Sequence, residues 1–174
     1  DHELNIMSKL DHPNIVKLLG VVDEEVDFML ILELCEGGSL RSYLDKQDEH
    51  PSKEEFFSWA KQAAAPVKYL KEMKIVHKDI KSPNYMISRG NVLKLGDFGL
   101  AKNIENTMSN ATQSASYHWM APELLKDGIL SPSYDIFALA VVLWELHTGK
   151  FPFQDYDCQV VAWKVCNDDE RPPI

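Results

Sequence analysis

Cysteine is scarce in this chain, basic residues are outnumbered, and no long apolar run is present. The three cysteines, Cys35, Cys158 and Cys166, are odd in number and far apart. Such spacing makes neither a disulfide framework nor a metal knuckle, and points to a reducing, cytoplasmic setting. Acidic residues exceed basic ones 27 to 18, for a net charge of -9. A nucleic-acid surface needs a clustered basic face and an anionic membrane attracts basic segments, so neither is an expected partner. The longest apolar run, Ile136 to Trp144, is far short of the ~20 residues that span a bilayer. No signal-peptide pattern opens the chain. Its first residues, DHELNIMSKL, read as a helix already under way, so the chain is expected to be an excerpt.

What is there fits a globular domain: 174 residues, 45% hydrophobic and 26% charged, enough for one real core. NIVKLLGVV (14–22) and VDFMLILEL (26–34) are rich in branched residues and read as strands joined by an acidic turn. EGGS (36–39) breaks that pattern. From Ser52 the period becomes helical: Ser52 and Glu55 have capping-box spacing, and Phe56, Trp59, Ala60, Ala63, Val67, Leu70 and Met73 recur on one face. Pro66 lies inside this helix and should kink it. IVHKDI (75–80) and YMI (85–87) read as short buried strands, and KNIENTMSNATQSAS (102–116) as a long mobile loop. YDIFALAVVLWELHTG is apolar nearly all round and stops at Gly149, as suits a helix in the middle of a large domain.

The densest polar chemistry is HKDIKSPN (77–84), set between two apolar runs. A solvated turn explains polarity but not this alternation of acid, base and amide. Two further signals follow in order: GDFG (96–99), an acid between glycines, and WMAPE (119–123). The trio resembles the signature of a protein kinase catalytic domain. Glu3 with HPNIV (12–16), ELCEGG and SYDIFALAVVLWELHTGKFPF extend the resemblance over essentially the whole chain.

The resemblance implies an α+β fold of the protein-kinase type, incomplete at both ends. Residues 1–34 would be the remainder of a small β-rich lobe, 35–38 the hinge, and 39–174 a truncated, mainly helical large lobe. It implies ATP and Mg2+ as ligands and a protein hydroxyl as acceptor. Phosphoryl transfer needs positioning and charge compensation more than covalent chemistry. Asp79 is the candidate base, Lys81 the cation for the moving phosphoryl group, and Asn84 and Asp97 the oxygen donors for magnesium. At the hinge, Leu32 falls at the gatekeeper position, the Glu33 carbonyl and Cys35 backbone would meet adenine, and Met86 would floor the pocket. Cys35 is expected to be buried rather than reactive. Glu3 would be the regulatory glutamate.

Met7, Leu18, His77 and Phe98 would stack between lobes with Asp135 bonding the base of the stack. Taken alone, His77 reads as a packed core histidine and Asp135 as a first-turn helix acid. Lys81 in D-x-K-x-x-N resembles serine/threonine kinases, whereas WMAPE and ERPPI resemble tyrosine kinases. That mixture resembles the tyrosine-kinase-like group, especially mixed-lineage MAP kinase kinase kinases. It implies serine/threonine specificity, a MAP kinase kinase as substrate, and Ser116 bridging Asp79 and Lys81. Thr107, Ser109, Thr112 and Ser114 are candidate phosphosites within a segment whose hydroxyls also suit a solvated loop. Lys78, where arginine is usual, would meet a phosphate there without bidentate geometry. The chain contains no Gly-x-Gly-x-x-Gly and no preceding strand lysine for Glu3. A pseudokinase scaffold is the alternative.

Overall fold

The computed structural model describes residues 2–23, 28–46, 51–103, 116–127 and 131–173. A short helix α1 (His2–Met7) leads into the antiparallel hairpin of β1 (Leu18–Asp23) and β2 (Phe28–Leu32). These strands are shorter than their apolar runs. The residues before β1 are held elsewhere: the Val16 N–H donates to the Leu95 carbonyl at 2.9 Å, and the Leu95 N–H to the Asn14 carbonyl at 2.8 Å. Asn14 also donates its side-chain amide to the Leu93 carbonyl. Thus the first apolar run is divided between its own hairpin and the body behind it.

After β2 come α2 (Leu40–Leu44) and the long α3 (Lys53–Glu72). Ser52 caps α3 with the full reciprocal box: its hydroxyl accepts the Glu55 N–H, and the Glu55 carboxylate accepts the Ser52 N–H. The helix continues unbroken through Pro66, whose ring is buried. The expected kink is therefore not an interruption. Pro66 removes one N–H from the ladder, while Trp59, Ala63, Val67 and Leu70 keep that face packed in the core. Each such large side chain contributes about 1.5–3 kcal/mol on burial.

Two short antiparallel pairs follow. β3 (Ile75–Val76) pairs with β6 (Lys102–Asn103), and β4 (Tyr85–Ser88) with β5 (Val92–Leu95). The strand expected over 75–80 stops at Val76, because Lys78 takes the left-handed conformation at φ 71°. α3 lies against β5 and α5 (Ser133–Thr148), with α4 (Pro122–Asp127) before α5 and α6 (Cys158–Asn167) after it. Gly149 ends α5 at φ 68° and returns its N–H to the Glu145 carbonyl. α5 is less enclosed than its composition implies: Leu139, Val142 and Leu146 enter the core, while Ile136 and Ala140 face outward. No described helix is long and apolar enough to cross a membrane.

Candidate active site

The site grows from the turn between β3 and the 3-10 turn Ser82–Asn84. Asp135, in the first turn of α5, accepts the backbone N–H groups of His77 at 2.7 Å and Lys78 at 3.0 Å. Those bonds hold the strained turn at Lys78 and aim the next side chain, Asp79, inward. Burial pushes the Asp135 carboxyl up, with His77 and the two N–H donors opposing it. His77 is fully buried, and burial keeps its pKa below the ordinary value. Its Nδ1 accepts the Asp79 N–H at 3.3 Å while Nε2 reaches the Gly96 carbonyl at 3.1 Å. A neutral ring protonated on Nε2 satisfies both contacts.

Asp79 is then surrounded by donors. Oδ2 accepts Lys81 Nζ at 2.7 Å and Asn84 Nδ2 at 3.0 Å, and Oδ1 accepts the Ser116 hydroxyl at 2.7 Å. Lys81 also donates to Ser116 Oγ at 2.9 Å, closing a triangle. Burial raises the Asp79 pKa, but Lys81, Ser116 and Asn84 together outweigh it and hold the carboxyl below its usual value. The group is a carboxylate at neutral pH. It is better suited to orienting a hydroxyl than to stripping it early.

Asn84 links this cluster to the next. Its amide nitrogen faces Asp79, and its backbone carbonyl accepts the Gly96 N–H at 2.9 Å. That places Asp97 beside the same turn. Asp97 is exposed, left-handed at φ 57°, and accepts the Gly99 N–H on Oδ1 at 3.4 Å. A Cβ on Gly99 would lie 3.5 Å from Asp97 Oδ1 and 3.9 Å from Glu3 Oε2. Both are ordinary contact distances, and they place the α1 glutamate beside the Asp97 loop. His2 Nε2 meets the Ala101 carbonyl at 2.6 Å and adds a second tie between α1 and this segment. Phe98 between them is buried, its ring centroid 4.7 Å from that of His77, in a core shared with Met7 and partly with Leu18.

No group of three or more His, Cys, Asp or Glu side chains able to hold a metal occurs among the described residues. One carboxylate and one amide oxygen nevertheless suit magnesium, which keeps waters and takes its other ligands from substrate phosphates.

The segment expected to form the hinge is more open. Leu32 is 38% exposed and Leu34 79%. Met86 is half-buried, and its strand bridges to Ser39. Glu33 is anchored: its N–H donates to the Lys17 carbonyl, and its carboxylate accepts the Lys17 N–H and Lys94 Nζ, the latter at 2.7 and 2.9 Å. The Cys35 carbonyl accepts the Gly38 N–H at 3.3 Å. Cys35 is only partly buried, a correction to its expected enclosure, on a segment whose neighbour Leu34 is itself exposed. Burial, then Glu33, push its thiol pKa up against the pull of Lys94. Thr107, Ser109, Thr112 and Ser114 lie outside the described residues.

Several polar partners had no counterpart in the sequence reading. Burial, then the charge of Lys102, lower the Lys78 pKa, so two ammonium groups share one region. Glu145 is wholly buried and gathers Arg41, Ser82 and Trp119 around it. Its signal was present: one acid inside the apolar stretch ALAVVLWEL must find donors if buried.

The family model described as protein tyrosine and serine/threonine kinase matches residues 1–174. Mitogen-activated protein kinase kinase kinase 13-A of Xenopus laevis is 31% identical over 172 residues, 99% of this chain and 18% of that protein. Mitogen-activated protein kinase kinase kinase 12 of Rattus norvegicus is 31% identical over 99% of this chain and 19% of its own length. Mitogen-activated protein kinase kinase kinase 1b of Physcomitrium patens is 35% identical over 97% of this chain and 22% of its own. The chain spans about a fifth of the length of these curated relatives.

Proposed function

Because the chain belongs to the protein tyrosine and serine/threonine kinase family, we propose that it carries the catalytic centre of a serine/threonine protein kinase of a MAP kinase cascade. The substrates are ATP and a protein hydroxyl, with a MAP kinase kinase as the natural acceptor. One observation carries this reading: Asp79, Lys81 and Ser116 close a triangle of 2.7 to 2.9 Å, with Asn84 bonded to the same carboxylate.

Asp79 aligns the acceptor hydroxyl and takes its proton as the new O–P bond forms and the bond from the γ-phosphorus to the β-phosphate oxygen breaks, with ADP leaving. Two of the three Lys81 N–H donors go to Asp79 and Ser116, and the third serves a phosphate oxygen. Asn84 and Asp97 are the residues that would hold magnesium. Bound there, the ion supplies positive charge for the phosphate oxygens. Leu32, Glu33, Cys35 and Met86 border the adenine side, and Glu3 regulates from α1. The hinge at 35–38 would divide residues 1–34 from 39–174.

Asp79→Asn in an active preparation containing this chain tests the proposal. Transfer of the γ-phosphate to serine and threonine peptides should fall about 10²–10⁴-fold. An unchanged rate would favour the scaffold reading, and labelling of tyrosine alone would overturn the specificity.

Lys78, with Lys102 near it, is the proposed receiver of a phosphate on Thr107, Ser109, Thr112 or Ser114. An ammonium pair offers charge without the planar fork of arginine. Lys78→Arg should therefore strengthen activation by phosphorylation about twofold to tenfold, an energy of about 0.4–1.4 kcal/mol. Equal activation ratios before and after the change would remove the idea.

A further inference from the structure

We propose that Glu145 is a positioning residue, whose one buried carboxylate ties the loop bearing Asp79 and Lys81 to the turn bearing Ser116. The proposal rests on the kinase reading above and concerns how its triangle is held. Glu145 Oε1 accepts the Ser82 hydroxyl at 2.6 Å and Arg41 Nη1 at 2.9 Å, and Oε2 accepts Trp119 Nε1 at 2.7 Å. Ser82 directly follows Lys81 in the chain. Trp119 ends the 3-10 turn that starts after Ser116, and its N–H returns to the Ser116 carbonyl at 3.0 Å. The two arms of the triangle therefore meet twice: once at Asp79, and again one residue layer deeper at Glu145.

The deeper meeting point is rigid for a stated reason. Glu145 is 0% exposed on the core helix α5. Its charge is compensated by Arg41, which is fixed in turn by the carbonyls of Gly149 at 2.9 Å and Lys150 at 3.2 Å and by Asp45 at 2.9 Å. Those carbonyls close the C-terminal end of α5, where a cation is favoured. A buried ion pair is no more stabilising than well-packed apolar side chains of the same size. What apolar groups cannot supply is a directional hold on both Ser82 and Trp119. Burial raises the Glu145 pKa, and Ser82, Trp119 and Arg41 pull against it.

The experiment compares Glu145→Gln with the paired change Glu145→Met plus Arg41→Met in an active preparation of the full protein. Three readouts apply: thermal midpoint, kcat with KM for ATP, and the Trp119 indole N–H resonance. The geometry predicts that Glu145→Gln, whose amide oxygen still accepts a hydrogen bond, loses less of the midpoint than the Met pair, which leaves the Ser82 hydroxyl and the Trp119 N–H without an acceptor. The kcat of the Met pair should be about 10–100-fold down, with KM for ATP within about twofold and the indole signal moved upfield. An undiminished kcat in the Met pair would overturn the proposal, as would an unmoved indole resonance in both variants. Asp79→Asn run in parallel separates the two readings. Undiminished transfer in that variant sinks the kinase assignment, while the indole resonance still reports on Glu145.

Discussion

Asp79 and Asp97 are both acids of the candidate site, yet the chain treats them in opposite ways. Asp79 is 5% exposed and accepts from Lys81, Asn84 and Ser116. Asp97 is exposed, and its recorded contact among the described residues is one long bond from the Gly99 N–H. The first is held by the protein; the second keeps its oxygens exposed, as the proposed magnesium ligand would. A preset group reorganises little when charge moves, which is the main source of electrostatic catalysis. A metal ligand, by contrast, must keep open lone pairs. The same division runs through the backbone: the turn before Asp79 is fastened by Asp135, while Asp97 holds its left-handed turn with that single contact.

The largest expected effect breaks this contrast at its root. Asp135→Ala leaves the N–H groups of His77 and Lys78 without acceptors in a buried turn. Each such loss costs about 1–3 kcal/mol, so urea denaturation should show a loss of about 2–6 kcal/mol. Asp97→Asn, which tolerates the left-handed backbone and keeps an Oδ1 for the Gly99 N–H, should stay within about 0.5 kcal/mol of the parent while abolishing magnesium-dependent transfer. Similar stabilities for the two variants would erase the distinction drawn here.

A smaller effect sharpens it at the hinge. A Cβ on Gly37 would sit 2.7 Å from Ile87 Cγ2 and 2.9 Å from the Ile87 carbonyl. Gly20 in β1 has nothing within 4 Å. Gly37→Ala is therefore expected to cost about 1–3 kcal/mol through overpacking. Gly20→Ala should be neutral or stabilising by up to about 1 kcal/mol. Thermal denaturation of the two variants decides it. A neutral Gly37→Ala would mean that the hinge moves away from β4 without penalty.

What was legible in the sequence follows physical lines. The long helices could be read because they carry strong periods and end signals, such as Ser52 with Glu55 and Gly149, whereas the kinase-type α+β organisation was implied by the resemblance carried by HKDIKSPN, GDFG and WMAPE. The cluster at 77–84 could be read because acid, ammonium and amide sit within one short turn, and the structure brings Asp79, Lys81 and Asn84 together with Ser116. The Glu145 hub was not read, since Arg41 lies 104 residues from it and no local pattern announces a pair so distant. β6 is two residues long, too short for any alternation, so the segment from Lys102 was read wholly as loop. α6 escaped as well: Asp157 caps it by accepting the Val160 N–H, but only Val161 and Val165 are buried.

The smallest expected effect concerns pH, and it separates Asp79 from its surroundings. Because the folded protein holds Asp79 below its ordinary value, Asp79 contributes stability fully above the unfolded pKa of about 3.9. That contribution is lost as pH falls through the lower, folded value. Other groups act in different windows. His12, His77 and His118 are all lowered by burial, so their share is complete above about 6.5 and declines below it. Asp135 and Glu145, raised by burial, carry a penalty that fades as pH falls. Subtracting the stability curve of Asp79→Asn from that of the parent cancels these common terms and leaves Asp79. The difference should be level from pH 7 to about 4.5 and shrink only below about 3.9. A difference that already narrows between pH 7 and 5 would mean that burial wins over Lys81, Ser116 and Asn84. Asp79 would then be a buried acid raised by desolvation like Asp135, and the contrast with Asp97 would rest on solvation rather than on donors.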